Sequence, residues 1–357
     1  MKKIRENNAI LADCDIANLT EFHQELARLT NQPWQIRICI SNKARTKKAY
    51  NLYRYMMYFL FPLRVFLGRK QYEGGTVIGW QQFYATLLAF YCRLFRVKKR
   101  FHIIVMAIVY KRKSGWLGGL YHRFMKYALG SQYIDCIMCT STAEVTLLAE
   151  ALDIPQRRLQ YVPWGAVDHM KTTPYDATLA DRRLCFSPGR SNRDFDFIIN
   201  SLRDASYPVL IACDTMRPGV FGSVTVDNSI DGDAVRRYMR NAYCALVVLD
   251  NPNVSAGHTI LLQAFCFGVP IIITKSKGLS DDYIVDGYNG LVVEKTPEAL
   301  LHALDRLYND PALYRTLSEN SLTEFHEKYT KTALGKHIGE IVLRLRAEHL
   351  ENRGETR

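Results

Sequence analysis

Two short stretches of this 357-residue chain combine the residue types that bind phosphate. The first covers 186–195, where Gly189 and two arginines, Arg190 and Arg193, follow a strand pattern. The second, SAGHT at 255–259, leads into an apolar helix pattern. Guanidinium groups form paired hydrogen bonds to phosphate, and the start of a helix offers backbone N–H groups and a positive dipole end. Each stretch therefore suits a phosphate group.

The second stretch belongs to a loop, helix and strand over 253–274. Residues 260–267 form an apolar helix pattern, Gly268 and Pro270 are typical of its end, and 271–273 read as a buried strand. Such a unit forms the ligand-binding edge of a parallel α/β sheet. The same pattern also fits an ordinary α/β turn that binds nothing.

Strand and helix patterns alternate along both halves of the chain, which predicts two doubly wound parallel sheets. Residues 1–33 read as polar and helical over 19–29, and the helix at 49–67 is expected to bend or end at Pro62. A last amphipathic helix is predicted at about 332–350. The predicted strands are 34–41, 76–80, 101–110, 133–141, 159–163, 182–187, 208–213, 223–228, 244–250, 271–273 and 290–295.

The block at 255–270 resembles the nucleotide-sugar site of the glycogen-synthase-type (family 4-like) retaining glycosyltransferases. Their pattern has two Glu residues eight positions apart, and Ser255 and Gln263 stand there in this chain. The following Ala264, Gly268 and Pro270 match the pattern. The frame is therefore kept, while both carboxylates are replaced. An amide oxygen at 263 can still accept a hydrogen bond from a ribose hydroxyl.

The resemblance implies a GT-B fold, with two Rossmann-like doubly wound parallel-sheet domains facing across a cleft. Residues 1–168 would form the acceptor-binding domain and 169–331 the nucleotide-sugar-binding domain. Residues 332–357 would form a C-terminal helix that packs back on the N-terminal domain.

The resemblance further implies a nucleotide-diphosphate sugar donor, a UDP- or GDP-sugar, with no other cofactor and no metal. Where the family often places a His near the sugar, this chain has Gln81 and Gln82, which can hydrogen-bond a hydroxyl but cannot act as a general base. His258 is the third candidate catalytic residue. Alternatively, it is a surface group that caps the start of the helix and has no catalytic role. The predicted donor-binding residues are Arg190, Arg193, Asp214, Asn228, Ser255, Gly257, His258, Thr259 and Gln263.

Charge is unevenly distributed, since residues 43–113 hold 16 Lys and Arg against the single acid Glu73, within a net charge of +12. With its many aromatic residues, this segment suits an anionic membrane surface, and also nucleic acid or a solvated basic face. No motif that reads nucleic acid accompanies it, so no nucleic acid is expected. No apolar segment follows the basic start, as a secretory signal would require. We therefore expect a cytoplasmic protein, peripherally associated with the inner face of the membrane.

The resemblance thus implies a hexosyltransferase of polysaccharide biosynthesis, which moves a sugar with retention and without metal to a glycan or lipid-linked glycan. The replaced Glu pair leaves two alternatives. One is a catalytically inactive GT-B homologue that acts as a partner or scaffold. The other is a sugar-nucleotide epimerase of the same fold.

Overall fold

Both halves of the chain alternate short strands with helices, and the computed structural model arranges them as two units. The structure describes residues 7–39, 48–108, 110 and 112–351. The first unit comprises Met1–Thr140, Glu144–Pro163 and Lys331–Arg357, and the second comprises Ser141–Ala143 and Trp164–Thr330. The boundary expected after residue 168 falls instead between Pro163 and Trp164.

Parallel strands build the sheet of the first unit in the order β2-β1-β3-β4-β5-β6. The chain passes from β1 to β2 on one side and returns to β3 on the other. The carboxyl ends of β1 and β3 therefore flank the switch point, where sheets of this kind bind ligands. The strands are β1 (Asn8–Ala12), β2 (Trp34–Ile38), β3 (Thr76–Gly79), β4 (His102–Val105), β5 (Cys136–Cys139) and β6 (Leu159–Tyr161).

Helices connect these strands and cover the sheet, and two of them, α2 and α4, pack against α3. Their buried faces join a core that includes Tyr58, Val65, Tyr84 and Met125. The helices are α1 (Thr20–Thr30), α2 (Lys48–Leu67), α3 (Gln82–Leu94), α4 (Gly115–Leu129) and α5 (Thr142–Leu152).

The second unit has the sheet order β13-β12-β11-β7-β8-β10-β9, parallel except for the edge strand β9. From β7 the chain moves outward to β8 and β10, then returns to β11 on the other side of β7. The β7–β11 pair is therefore the switch point of this sheet. The strands are β7 (Cys185–Pro188), β8 (Val209–Ala212), β9 (Gly219–Phe221), β10 (Val224–Asp227), β11 (Cys244–Val247), β12 (Ile271–Thr274) and β13 (Leu291–Val293).

Two long helices near the end of the second unit begin with local capping signals. Thr296 accepts a hydrogen bond from the Ala299 N–H, and Asp310 accepts from Ala312 and Leu313, with Pro at the first helical position in both cases. The helices are α6 (Ala177–Ala180), α7 (Phe195–Leu202), α8 (Gly232–Arg240), α9 (His258–Cys266), α10 (Ser280–Tyr283), α11 (Pro297–Asn309) and α12 (Pro311–Lys328).

The last helix, α13 (Lys331–Glu351), belongs to the first unit and packs along α1. Its Gly335 lies so close to α1 that a Cβ built there would stand 2.8 Å from the carbonyl oxygen of Phe22. The small residue therefore permits the close helix–helix approach.

The fold class predicted from the sequence, two α/β units with parallel sheets, is confirmed. Several predicted elements are wrong in detail. Strand β1 and the edge strand β9 were not predicted, and β4 ends at Val105 rather than at 110. Helix α2 does not end at Pro62 but continues through it, because Tyr58 before it and Val65 after it are held in one core; the alternative prediction, a bend at Pro62, stays a prediction. Of the basic segment 43–113, residues 43–47, 109 and 111 lie outside the described residues.

Candidate functional site

The loops that leave β7 and β11 meet at the switch point of the second sheet. Asn192 joins them, since its side-chain amide donates to the Asn251 carbonyl and accepts from the Asn251 N–H, both at 2.9 Å. Farther along, the Asp194 N–H donates to the Val248 carbonyl at 3.1 Å. Asn192 has a φ of 57°, a conformation that Asn tolerates better than most residues. The sequence reasoning missed Asn192, although an Asn in a tight turn was the available signal.

Arg193 extends from this joined loop toward the start of α9. A Cβ built on Gly257 would stand 3.1 Å from Nη2 and 3.2 Å from Nη1 of Arg193. The Nη1 group donates to the Ser191 carbonyl at 3.3 Å, and the buried Nε has no hydrogen-bond partner in the described part of the chain. Burial lowers the pKa of Arg193 to about 10. No described carboxylate forms an ion pair with it, so its charge is uncompensated.

Helix α9 begins directly beneath this guanidinium. Gly257 is its N-cap, with a φ of 117°, and no side chain caps the helix. The first N–H groups of the helix and its positive dipole end therefore lie beside Arg193. Both features would attract an anion to the same place, and the structure thus brings together the two predicted stretches around Arg193 and Gly257. Anion binding there stays a prediction.

The other residues predicted at this helix start are also near one another in the fold. Ser255 is half-buried in the loop before α9, and Thr259 is exposed in the first turn. The imidazole of His258 packs edge-on against the Tyr283 ring, with centroids 5.0 Å apart. Gly278, which the sequence reasoning missed, lets a second loop approach, since a Cβ there would lie 2.8 Å from the Ser255 nitrogen.

Gln263 lies one turn after Thr259 on α9, at the spacing that places two side chains on one helix face. Its Oε1 is buried and has no hydrogen-bond partner within the described residues. A buried acceptor without a donor costs free energy in the protein alone. The amide oxygen is thus available to a ligand hydroxyl.

Arg190 differs from Arg193 in its charge environment. It forms an ion pair with Asp214, which follows β8, at an Nη1–Oδ2 distance of 3.1 Å. The two side chains are 55% and 47% exposed, so the pair contributes little to stability. Asn228, which follows β10, is exposed and donates to the Met216 carbonyl at 3.3 Å. Asp214 and Asn228 therefore lie one and two strands away from β7.

Gln81 and Gln82 belong to the first unit, where they follow β3 at its switch point. Gln81 is the N-cap of α3, and its Oε1 accepts from the Phe83 N–H at 2.5 Å. This residue therefore has a structural function. Gln82 is the first residue of α3 and is half-buried.

The carboxylate of Asp194, which lies just after Arg193, already has two partners in the protein. Asp194 caps α7 by accepting from the Phe197 N–H at 2.9 Å, and its other oxygen lies 2.6 Å from the Lys295 ammonium. Across residues 7–39, 48–108, 110 and 112–351, no group of three His, Cys, Asp or Glu residues is arranged to hold a metal ion. The expectation that no metal is needed stays a prediction.

Part of the chain is similar in sequence to known glycosyltransferases. Residues 222–323, which include α9 and Gln263, match the family described as Glycosyl transferases group 1. Over 99 residues, the chain is 32% identical to an uncharacterized glycosyltransferase of Methanocaldococcus jannaschii. That alignment covers 28% of this chain and spans only 27% of the relative.

Solved structures match over nearly the whole chain. Sucrose-phosphate synthase from Thermosynechococcus elongatus superposes with a TM-score of 0.69 at 16% identity, covering 95% of this chain and 99% of the other. The Anabaena protein HepE, in complex with UDP, also gives a TM-score of 0.69, at 10% identity, covering 94% and 100%. These likenesses establish the GT-B fold.

Proposed function

We propose that the chain is a glycosyltransferase whose second unit binds a nucleotide-diphosphate sugar at the β7–β11 switch point. The observation that carries the proposal is the Arg193 guanidinium, uncompensated and held against the start of α9. The match of residues 222–323 to a glycosyltransferase family supports the same conclusion.

The donor diphosphate explains why a cation is buried there. Removing a charge from water is costly unless a counter-charge and hydrogen bonds replace the water. A diphosphate beside Arg193 would supply both, and the N–H groups at the start of α9 would bind its remaining oxygens. Arg190, half-exposed and already paired with Asp214, would act at the edge of the site.

The remaining donor contacts follow from position in the fold. We assign the Gln263 Oε1 to a ribose hydroxyl, because it is a buried acceptor without a protein donor. Ser255, His258 and Thr259 would contact phosphate or sugar at the helix start. Asn228, at the end of β10, would contact the base.

In the proposed transfer, the bond between the sugar C1 and the diphosphate oxygen breaks, a hydroxyl oxygen of the acceptor bonds to C1, and the hydroxyl proton passes to the departing diphosphate oxygen. Negative charge grows on the leaving diphosphate, and Arg193 together with the α9 dipole would stabilise it. Retention is proposed from the family resemblance. Because Gln81 caps α3, we propose that Gln82 rather than Gln81 hydrogen-bonds a hydroxyl of a sugar bound to the first unit.

The donor is proposed to be a UDP- or GDP-sugar. UDP-sugars should be tested first, since a structural neighbour, HepE, has been solved with UDP and with UDP-glucose. The acceptor is proposed to be a glycan or a lipid-linked glycan at a membrane surface.

Exposed apolar side chains of the first unit support a membrane-bound acceptor. On α2, Leu52, Tyr55, Met56 and Phe59 are between 49% and 73% exposed and follow helical spacing. On α4, Trp116, Leu117 and Leu120 are between 57% and 78% exposed. Exposed basic residues accompany them, namely Arg64, Arg96, Lys113, Arg123 and Lys126. Among the described helices, none has the length and apolar character needed to cross a bilayer.

Because both Glu residues of the family pattern are replaced, two alternatives to the transferase are also tested. One is a catalytically inactive GT-B homologue that acts as a partner, and the other is a sugar-nucleotide epimerase. Product analysis separates all three. The purified protein is incubated with UDP- and GDP-sugars, with and without membrane extract, and free nucleotide and sugar epimers are quantified. Nucleotide release that rises with extract supports the transferase, and an epimer formed without extract supports the epimerase. Binding without any product supports the inactive homologue.

A further inference from the structure

A cavity lies in the first unit, at the amino ends of its strands. Its volume is about 440 Å³, and its lining includes His102, the first residue of β4, Asp135, which precedes β5, and side chains of α13. Parallel sheets of this kind carry their reaction site at the carboxyl ends. The cavity is thus at the opposite edge of the sheet from Gln82, and its size suits a small molecule.

Basic side chains dominate the lining, and the acids nearby are already neutralised. Asp135 lies 2.6 Å from the Lys99 ammonium and 3.1 Å from Nδ1 of His102. Arg100 forms an ion pair with Glu73, and both side chains are about half exposed. At the outer rim, Glu348 lies 3.6 Å from Nε of Arg344. Each of these carboxylates therefore has a cation of its own.

Arg346 is the cation that remains. Its Nη2 donates to Oδ1 of Asn8 at 3.0 Å, and the same oxygen accepts from the Thr76 N–H at 3.0 Å. Asn8 is fully buried, so the guanidinium is anchored from beneath the sheet edge. The Nε of Arg346 is buried without a hydrogen-bond partner, and no carboxylate in the described ranges pairs with it. Burial lowers the pKa of Arg346, as expected for a cation without an anion.

We propose that this cavity is a second ligand site, which binds a small phosphorylated molecule. A phosphate group would take the Nε donor of Arg346 and the rim cations Arg100 and Lys99, because a guanidinium fork matches phosphate geometry. The imidazoles of His102 and His349 stand edge-on at 5.5 Å and add N–H groups to the same wall. Phe101 and Leu345 give the lining an apolar part, which suits an organic group attached to the phosphate.

The test is calorimetric titration of the full chain with inorganic pyrophosphate. Because the proposed donor site would also bind pyrophosphate, the titration uses an Arg193→Met background, in which that site has lost its buried cation. We expect pyrophosphate binding to persist there. Adding Arg346→Met should weaken it about tenfold, the effect of losing one charge-assisted hydrogen bond.

Two further variants keep the test independent of folding defects. Arg100→Met removes an exposed rim cation and should also weaken pyrophosphate binding. Lys336→Met removes an exposed cation of the same helix that lies outside the cavity lining, and it should leave binding within about twofold. The proposal is overturned if the Arg193→Met background shows no binding at millimolar pyrophosphate. It is equally overturned if Arg346→Met and Arg100→Met both titrate like that background.

Discussion

At the scale of single residues, the candidate site depends on two polar groups that the protein leaves unsatisfied. Arg193 has a buried Nε without a partner, and Gln263 has a buried Oε1 without one, within the described residues. Each costs free energy in the ligand-free protein, because a polar group withdrawn from water loses hydrogen bonds. A nucleotide sugar that pairs with both would recover that free energy, which links the cost in stability to binding.

Replacing Gln263 tests this link. In Gln263→Leu, the buried acceptor without a donor is removed, so the melting temperature should stay unchanged or rise. Affinity for UDP should fall about tenfold if the amide oxygen accepts from the ribose. Thermal denaturation and calorimetry on the same preparation give both values. Gln263→Glu keeps an acceptor and should bind UDP at least as well as Gln263→Leu does. If Gln263→Leu instead melts well below the wild type and binds UDP with unchanged affinity, Gln263 has a structural function only.

At the scale of elements, the site is a junction of two loops and one helix start. Asn192 joins the β7 and β11 loops through two hydrogen bonds of 2.9 Å, and Gly257 lets the Arg193 guanidinium lie against the first turn of α9. These contacts hold the two loops, and with them the binding groups, in place before a ligand is bound.

Gly257 and Gly287 form a matched pair for testing the junction. Both have positive φ, 117° and 73°, so alanine should cost about 1–2 kcal/mol of folding free energy at either position. Around Gly287 nothing lies within 4 Å of an added Cβ, whereas at Gly257 the Cβ would meet Leu279 at 2.9 Å and Arg193 at 3.1 Å. Gly257→Ala should therefore lose UDP affinity as well, and Gly287→Ala should not. Equal UDP affinity in the two variants would contradict the proposed junction.

Elements with a clear period could be predicted from the sequence, and others could not. Helix α1 was predicted to within a residue or two, because its apolar positions recur at helical spacing. Strand β1 was missed because it is buried on both faces, so its short apolar run shows no alternation. The site residues were predicted from the family resemblance, which could not distinguish the charge environment of Arg190 from that of Arg193. That distinction depends on Asp214, which is 24 positions from Arg190 in sequence.

At the scale of the whole molecule, charge and exposed apolar surface are concentrated in the first unit, and the family match lies in the second. Exposed apolar side chains lie on α2 and α4, and both helices pack against α3. Exposed apolar side chains accompanied by exposed basic residues are typical of a protein that lies on an anionic bilayer.

Vesicle flotation tests this surface. The protein should float with vesicles containing anionic lipid at low salt, and less so as salt rises, because exposed charges are screened. Phe59→Ser and Trp116→Ser should each weaken the association about tenfold through lost apolar burial. Val220→Ser, which changes an exposed apolar residue of the second unit, is the control and should float like the wild type. Failure of the wild type to float at low salt would remove the membrane surface from the proposal.

The most direct test of the central claim is calorimetric titration of the chain with UDP and GDP, using Arg193→Met and Arg190→Met. We expect one nucleotide to bind the wild type and Arg193→Met to weaken that binding about tenfold or more, because no other cation can replace the Arg193 guanidinium beside the start of α9. Arg190→Met should cost less, since Arg190 is half-exposed and paired with Asp214. Nucleotide binding that is unchanged in Arg193→Met, or absent from the wild type, would contradict a nucleotide-sugar site at the β7–β11 switch point.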